Sequence, residues 1–537
     1  MPSFEKELHI INRYLVFPVK NGSEKVVFQL LLHGKMVREF IIELDRSGSP
    51  DWWAKYDVSA FENQILTLKL VNGEISDDDA RLIEKSIFIS DTPHGESDLY
   101  QEALRPQFHF TPQRGWNNDP NGLMFLNGEW HMFFQFNPFG ISWGNMHWGH
   151  AISKDLVHWQ EQPITLFQHS LNDMAFSGGG FIDWPNTSGY GMPGHPPAII
   201  AFTSTGRGEC LAFSNDQART FTEFEENPIL THLGRDPKIF WYAPENKWVM
   251  VVFEEVKPYP APEECLYVIY DSKDLKTWTR RSELPDLWEC PELFPLPLNG
   301  NSDDVKWVLY GSRRETAKSM CLIGTFDGST FIPEYENKSS HYGPHFYASQ
   351  IFSDTLDQRK IMISWLAGAS YPEMPFSQGL TIPLELSLRS TPNGPRLCFY
   401  PVEELSNLRN AELLRCEAQS IEQANQLLGT FSDELLDLEI EVTASGQLTL
   451  DLRGHPLTIN PVSGEVTFAG QTGSITTGAH SVRIRVLLDR AITELFINQG
   501  EAAFAAMTLP TTSSQVSLLG GGEVKTLKVF ALNSIWA

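Results

Sequence analysis

An all-β fold is predicted: a five-bladed β-propeller followed by a C-terminal β-sandwich, with an extra β-sandwich-like module at the amino terminus. Three observations predict it. Between about Arg105 and Arg396 there is no long amphipathic helical pattern, only short apolar runs between turn residues. Within that stretch a turn motif recurs. Ser153-Lys-Asp-Leu-Val-His-Trp159 returns as Ser272-Lys-Asp-Leu-Lys-Thr-Trp278, with weaker copies at Ser214-Asn-Asp-Gln-Ala-Arg-Thr-Phe221 and Phe326-Asp-Gly-Ser-Thr-Phe331. Finally, both ends of the chain read as short β-branched or alternating runs. The closing aromatics fall at 159, 221, 278 and 331, so the gaps are 62, 57 and 53 and about 290 residues hold roughly five units. Unrelated tandem hairpins are the alternative. Radial repetition of four-stranded sheets protects sheet edges and leaves a central funnel.

In chain order, residues 1–75 form the amino-terminal module, with strands expected at Leu8–Phe17, Lys25–Leu32, Val37–Leu44 and Ile65–Val71. Trp52 and Trp53 are adjacent, so on a strand they face opposite ways and make no single stacking platform. Docking is therefore the expected role of this module. Residues 76–104 are acidic and read as a linker, helical in pattern over Asp79–Lys85. Residues 105–396 are the propeller. Val402, Leu405, Leu408 and Leu413–Leu414 recur at helical spacing and predict a linker helix within 397–419. Residues 420–537 alternate again, as a second sandwich.

The 537 residues are 42% apolar and 20% charged, which excludes bulk disorder and coiled coil. Forty-one Lys and Arg face 67 Asp and Glu, a net −26 that repels nucleic acid and anionic membranes. A neutral ligand pays no such penalty, and 15 Trp suit stacking on sugars as well as β-rich cores. Six scattered cysteines without a C-x-x-C pair read as reduced thiols. The Met1–Lys6 terminus shows no basic region followed by an apolar stretch, so a cytoplasmic location is expected, or secretion if a signal was trimmed. Oligomeric state is left open.

Several signatures fail. Gly140-Ile-Ser-Trp-Gly144 fits a nucleophile elbow by letter, but no helix follows. His147 and His150 lack a carboxylate ligand nearby, so no metal site and no cofactor are expected. Three acids stand out by their neighbours. Asp119 lies in Trp116-Asn-Asn-Asp-Pro-Asn-Gly122, among turn formers that fix a loop tip. Asp236 lies in Arg235-Asp-Pro-Lys238, between two cations expected to keep it ionised. Glu289 lies in Leu287-Trp-Glu-Cys-Pro-Glu-Leu293, apolar company expected to favour its protonated form. An ionised carboxylate beside a protonated carboxyl is what glycosidic-bond cleavage needs. Solvated or turn-capping acids remain the other reading.

Trp116–Gly122, Arg235-Asp-Pro237 and Glu289-Cys290 resemble the three signature motifs of glycoside hydrolase family 32, the invertases, inulinases and levanases. Phe133-Phe-Gln-Phe-Asn-Pro138, Trp143-Gly144, Met146–Ala151, Phe176-Ser-Gly178 and Phe346-Tyr-Ala-Ser-Gln350 agree with it in order. The first 75 residues resemble a module on some bacterial fructan hydrolases. One departure is Asn117, where the family usually has Met. The resemblance implies a five-bladed propeller followed by a sandwich, and a retaining β-fructofuranosidase without a cofactor. It implies Asp119 as nucleophile, Glu289 as acid/base and Asp236 as transition-state stabiliser. It also implies Trp116, Asn117, Asn118, Gln135, Trp143, Phe176, Ser177, Arg235 and Trp365 as substrate-binding groups. Fructosyltransferase and endo-acting enzymes share these motifs. A carbohydrate-binding protein without catalysis would be expected to have lost one of the three acids. Exo-action on sucrose or fructan ends is expected, with the rim segments Gly189–Pro197 and Glu254–Glu264 deciding it.

Overall fold

The computed structural model describes residues 4–536 apart from 73–75, 93, 96, 259–260, 314–317, 339, 432, 445 and 478–480. Parts of the expected amino-terminal segment, of the linker and of the 254–264 rim therefore lie outside the described residues. The fold is nearly all β.

In the centre of the chain the strands form consecutive antiparallel groups. The first runs Gly115–Leu126, Glu129–Asn137, His147–Ser153, Gln160–Leu166. In the second, Ala175–Phe176 and Gly180–Ile182 both pair with Ala198–Ser204, followed by Gly208–Ser214 and Thr222–Glu223. The third runs Gly234–Tyr242, Lys247–Glu255, Cys265–Ser272, Thr279–Pro285, and the fourth Trp288–Leu298, Asn301–Arg313, Lys318–Phe326, Phe331–Lys338. A last group, Tyr347–Ile351, Ile361–Trp365, Leu384–Thr391 and Gly394–Pro401, joins the fourth through the single parallel pair Leu298–Leu388.

The recurring turn has a physical cause. Its Asp accepts backbone N–H groups that the turn frees, so the chain reverses cheaply between an outer pair of strands. Asp155 Oδ1 accepts from the Val157 and His158 amides at 3.1 and 2.9 Å. Asp274 does the same for Lys276 and Thr277 at 2.9 and 2.8 Å, and Asp327 for Ser329 and Thr330, both at 2.8 Å.

The first strands of the groups meet around one axis, linked in sequence. Gly122 N–H donates to Gly178 O at 3.0 Å, and Gly179 N–H to Pro237 O at 2.9 Å. Cys290 N–H donates to Asp236 Oδ2 at 3.0 Å, Ile351 N–H to Glu292 Oε1 at 3.2 Å, and Ser353 N–H to Leu123 O at 2.9 Å. Glycine is required where these strands touch. A Cβ on Gly178 would lie 2.0 Å from Ala201 O, and one on Gly180 2.5 Å from Gly122 O.

Two corrections concern the linkers. Residues 397–419 contain no α-helix. Val402, Leu405 and Leu408 recur every three residues and form a 3₁₀ segment, Glu403–Leu408, between the strands Gly394–Pro401 and Arg409–Ser420. The α-helix lies just beyond, at Ile421–Leu428, capped by Ser420 and Gln423 acting on each other's backbone. The supposed linker 76–104 also belongs in part to the amino-terminal module. Its helix Asp77–Ser86 buries Ile83 in the module core, and Phe88–Ser90 pairs with Tyr14–Val16.

That module is docked on the first central group. The Phe40 and Phe139 rings stack at 4.1 Å, Ile41 exchanges two hydrogen bonds with the Asn145 side chain at 2.8 and 2.7 Å, and Tyr56 OH meets His147 Nε2 at 3.2 Å. Trp52 is buried within the module, while Trp53 packs against Phe88 and His94.

The C-terminal sandwich packs a six-stranded sheet on a five-stranded one. It is fastened to the central unit by a fully buried ion cluster. His109 Nδ1 lies 2.9 Å from Asp489 Oδ2, and His109 Nε2 lies 2.9 Å from Glu494 Oε1. Burial opposes the charge on His109, but the two carboxylates override it and lift its pKa to about 9. Its folded pKa exceeds its unfolded value of about 6.5. The stabilisation is therefore complete below pH 6.5 and lost as pH rises through 9. His109→Gln is expected to cost about 3–5 kcal/mol at pH 6, because both carboxylates lose their cation. Denaturant melts at pH 6 and above pH 9 check this: the gap to wild type should narrow at the higher pH, and a constant gap would contradict it.

Candidate active site

Four strands on the axis lose their pairing register at one end. The breaks lie between Asn117 and Pro120, Arg235 and Lys238, Trp288 and Glu292, and Tyr347 and Gln350. Each inserts at least one extra residue opposite its partner strand, a β-bulge, and bulges re-aim side chains. The three predicted acids lie inside the first three breaks. Left-handed backbone accompanies them, with φ of 66° at Asp236, 44° at Glu289, 51° at Cys290 and 49° at Ala348. Non-glycine residues pay about 1–3 kcal/mol each for such conformations, which persist where the surroundings fix them.

The bulges bring the three acids into one cluster. Asp119 Oδ2 accepts from Ser177 Oγ at 2.6 Å, and its Oδ1 from Asn118 Nδ2 at 2.8 Å. Both partners hold the carboxylate still and favour its charge. Asp236 is 5% exposed and accepts the Cys290 amide. The Cys290 thiol lies 3.6 Å from Asp236 Oδ2 and 4.0 Å from Asp119 Oδ2, so it separates the two carboxylates. Glu289 stands on the more open side, its side chain 23% exposed. Its Oε1 accepts from Arg235 Nη2 at 2.5 Å and its Oε2 from the Tyr347 hydroxyl at 2.6 Å.

Burial dominates the electrostatics. It lifts Asp119 to a pKa of about 6, against the Ser177 and Asn118 hydrogen bonds and with the help of Glu289. It lifts Asp236 to about 7, outweighing Arg235, with Glu289 and Asp119 adding to it. This corrects the expectation that two cations keep Asp236 ionised. Lys238 points away along the axis, its Nζ 2.9 Å from Glu292 Oε1 and 2.7 Å from Ile351 O. The surroundings of Glu289 are likewise not apolar, because Arg235 and Tyr347 both bind its carboxylate. The Asp119 and Asp236 carboxylates titrate as a coupled pair.

Comparison with known proteins decides the family. Residues 109–401 match the glycosyl hydrolases family 32 N-terminal domain, and residues 404–532 the family 32 C-terminal domain. The chain belongs to glycosyl hydrolase family 32. A levanase of Bacillus subtilis is 35% identical over 82% of this chain and 72% of its own length. An extracellular exo-inulinase of Aspergillus niger is 30% identical over 81% of this chain and 96% of its own. The crystal structure of an exo-inulinase from Aspergillus awamori superposes with a TM-score of 0.72 at 26% identity, covering 81% of this chain and all of that one. The amino-terminal module precedes the family 32 domains.

The remaining predicted residues divide by position. Asn118 and Ser177 touch Asp119, and Arg235 touches Glu289. Trp116 is buried edge-on to Trp365 at 5.9 Å, and Trp365 is held by Gln378 at 3.2 Å. Trp143 is 55% exposed, edge-on to Phe176 at 6.1 Å. Gln135 is fastened to Ala175 O at 3.0 Å, a bond that ties the first two groups together. Asn117 is fully buried, and its side-chain oxygen has no hydrogen-bond partner among the described residues. Sequence reasoning did not single out Tyr347, although the motif Phe346–Gln350 was flagged. Glu255, which reaches Arg235 Nη1 at 3.4 Å, falls in the rim segment Glu254–Glu264 without being singled out there, and Thr203 carries no signal in the sequence. Among the described residues no group of three or more His, Cys, Asp or Glu is placed to hold a metal.

Proposed function

We propose that this chain is a retaining β-D-fructofuranosidase that releases terminal fructosyl units from sucrose, fructo-oligosaccharides or fructans. One observation carries the reading: Asp119 and Glu289 come together from bulged strands of the first and fourth groups, each held by its own set of donors, and the Cys290 thiol reaches both Asp119 and Asp236. In this reading the five strand groups are the five blades of a propeller, and the pocket is its funnel.

Asp119 attacks the anomeric C2 of a β-fructofuranosyl unit, with Ser177 and Asn118 holding the carboxylate in line. Glu289 protonates the departing oxygen. Water then attacks C2 of the covalent fructosyl ester as Glu289 takes back the proton, so the configuration is retained. Asp236 holds ring hydroxyls in bonds that strengthen as charge develops on the ring. No step calls for a metal or organic cofactor.

Exo-action is favoured because the residues next along the acid-bearing strands are buried and bonded to protein groups. Asp236 is buried, and beside it Lys238 pairs with Glu292 while Gln350 donates to Gly178 O, all three buried, which closes the site behind Asp236. A dead-end pocket takes a chain terminus, and two of the relatives carry an exo-inulinase name. Early time points on inulin and levan test it. Free fructose should dominate from the start; intermediate oligosaccharides appearing first would mean endo-action, and chain-lengthened products at high sucrose would mean a fructosyltransferase.

A further inference from the structure

Asp236 sits in a bulge, and its amide donates to a side chain instead of the strand ladder. The acceptor is Thr203 Oγ1 at 3.1 Å, on the strand Ala198–Ser204 of the preceding group. The Thr203 hydroxyl donates its own proton to Glu209 Oε2 at 2.9 Å. Glu209 Oε1 in turn lies 3.2 Å from His232 Nε2. Thr203 is 5% exposed and Glu209 only 1%.

A hydroxyl has one proton and two lone pairs. An ionised carboxylate only accepts, so Glu209 fixes where that proton goes and turns a lone pair toward the Asp236 amide. Without that acceptor, Asp236 N–H would be buried and unpaired, at a φ that costs energy in its own right. The same residue serves the neighbouring acid. Thr203 pairs in register with Phe176, and its amide donates to Ser177 O at 3.4 Å, the residue whose hydroxyl holds Asp119.

We propose that Thr203, oriented by Glu209, is a positioning residue that holds the Asp236 peptide in its left-handed conformation and so aims the carboxylate at the sugar. The inference rests on the proposed role of Asp236 in the transition state. Its energetic logic is that a small misplacement of a group acting only in the transition state lowers kcat more than it raises KM.

The test compares Thr203→Val, which keeps the shape and loses the oxygen, with Thr203→Ser, which restores it. Sucrose kinetics are corrected for the folded fraction by calorimetry. Thr203→Val should lower kcat by about 10²-fold while KM moves by no more than about threefold, and Thr203→Ser should recover most of the loss. If Thr203→Val does not fold, Glu209→Leu against Glu209→Gln carries the same comparison, since only glutamine still accepts the threonine proton. A folded Thr203→Val enzyme with kcat within about threefold of wild type overturns the inference. Asp236→Asn is the separate control. If it is inactive while Thr203→Val is not, the positioning role falls and the reading of Asp236 stands; if it keeps wild-type kcat, both fall.

Discussion

Asp119→Ala is expected to lower kcat by at least about three orders of magnitude on every fructoside, with the fold intact. In the proposed mechanism this residue supplies the nucleophile. The Cys290 thiol lies 4.0 Å from Asp119 Oδ2, but burial and three surrounding carboxylates push its pKa well above the ordinary thiol value. It therefore stays protonated and is a poor nucleophile. Folding should survive because Asp119 bonds to the side chains of Asn118 and Ser177 and more distantly to the Cys290 thiol, while its backbone stays within the strand Gly115–Leu126. Steady-state kinetics on sucrose, with circular dichroism as the folding check, measure this. Retention of more than about a tenth of wild-type activity would remove Asp119 from the nucleophile role.

Glu289→Ala should be as damaging on sucrose and fructans, again about 10³-fold, but not on every substrate. In the proposed mechanism its first duty is to protonate the leaving oxygen, so a substrate whose leaving group departs as a stable anion bypasses that step. Bond cleavage should then proceed near the wild-type rate, with hydrolysis of the covalent intermediate left slow because the base is missing. Arg235 would lose its 2.5 Å partner, but Glu255 remains within 3.4 Å to hold it. A pre-steady-state burst of leaving group, followed by a slow phase, is the expected signature. Equal losses on good and poor leaving groups, without a burst, would mean that Asp119 and Glu289 do not divide the work in this way.

The sequence carried the architecture further than the chemistry of the pocket. The turn repeat was legible because an aspartate capping a tight reversal is a local event, and Asp155, Asp274 and Asp327 each cap within their own turn. The three acids were legible through their unusual neighbours and through resemblance. Their charge environment was not. Lys238 stands two residues from Asp236, yet the bulge at that point turns it toward Glu292, and the cation reaching Glu289 comes from Arg235 on another strand. Bulges depend on the pairing of distant strands, which spacing along the chain does not encode. The helix misplaced into 397–419 has a similar origin. Apolar residues every three positions serve a 3₁₀ turn as well as an α-helix, and the capping pair Ser420 and Gln423 was the better signal.

The division of labour between Asp119 and Glu289 makes the covalent intermediate accessible. Glu289→Ala, mixed with a fructosyl donor bearing a good leaving group, should accumulate enzyme carrying one fructosyl unit. After acid quench and digestion, mass spectrometry should place that unit on the peptide containing Asp119. An adduct on any other residue, or no adduct together with release of product of inverted anomeric configuration, would contradict the double-displacement mechanism at this site.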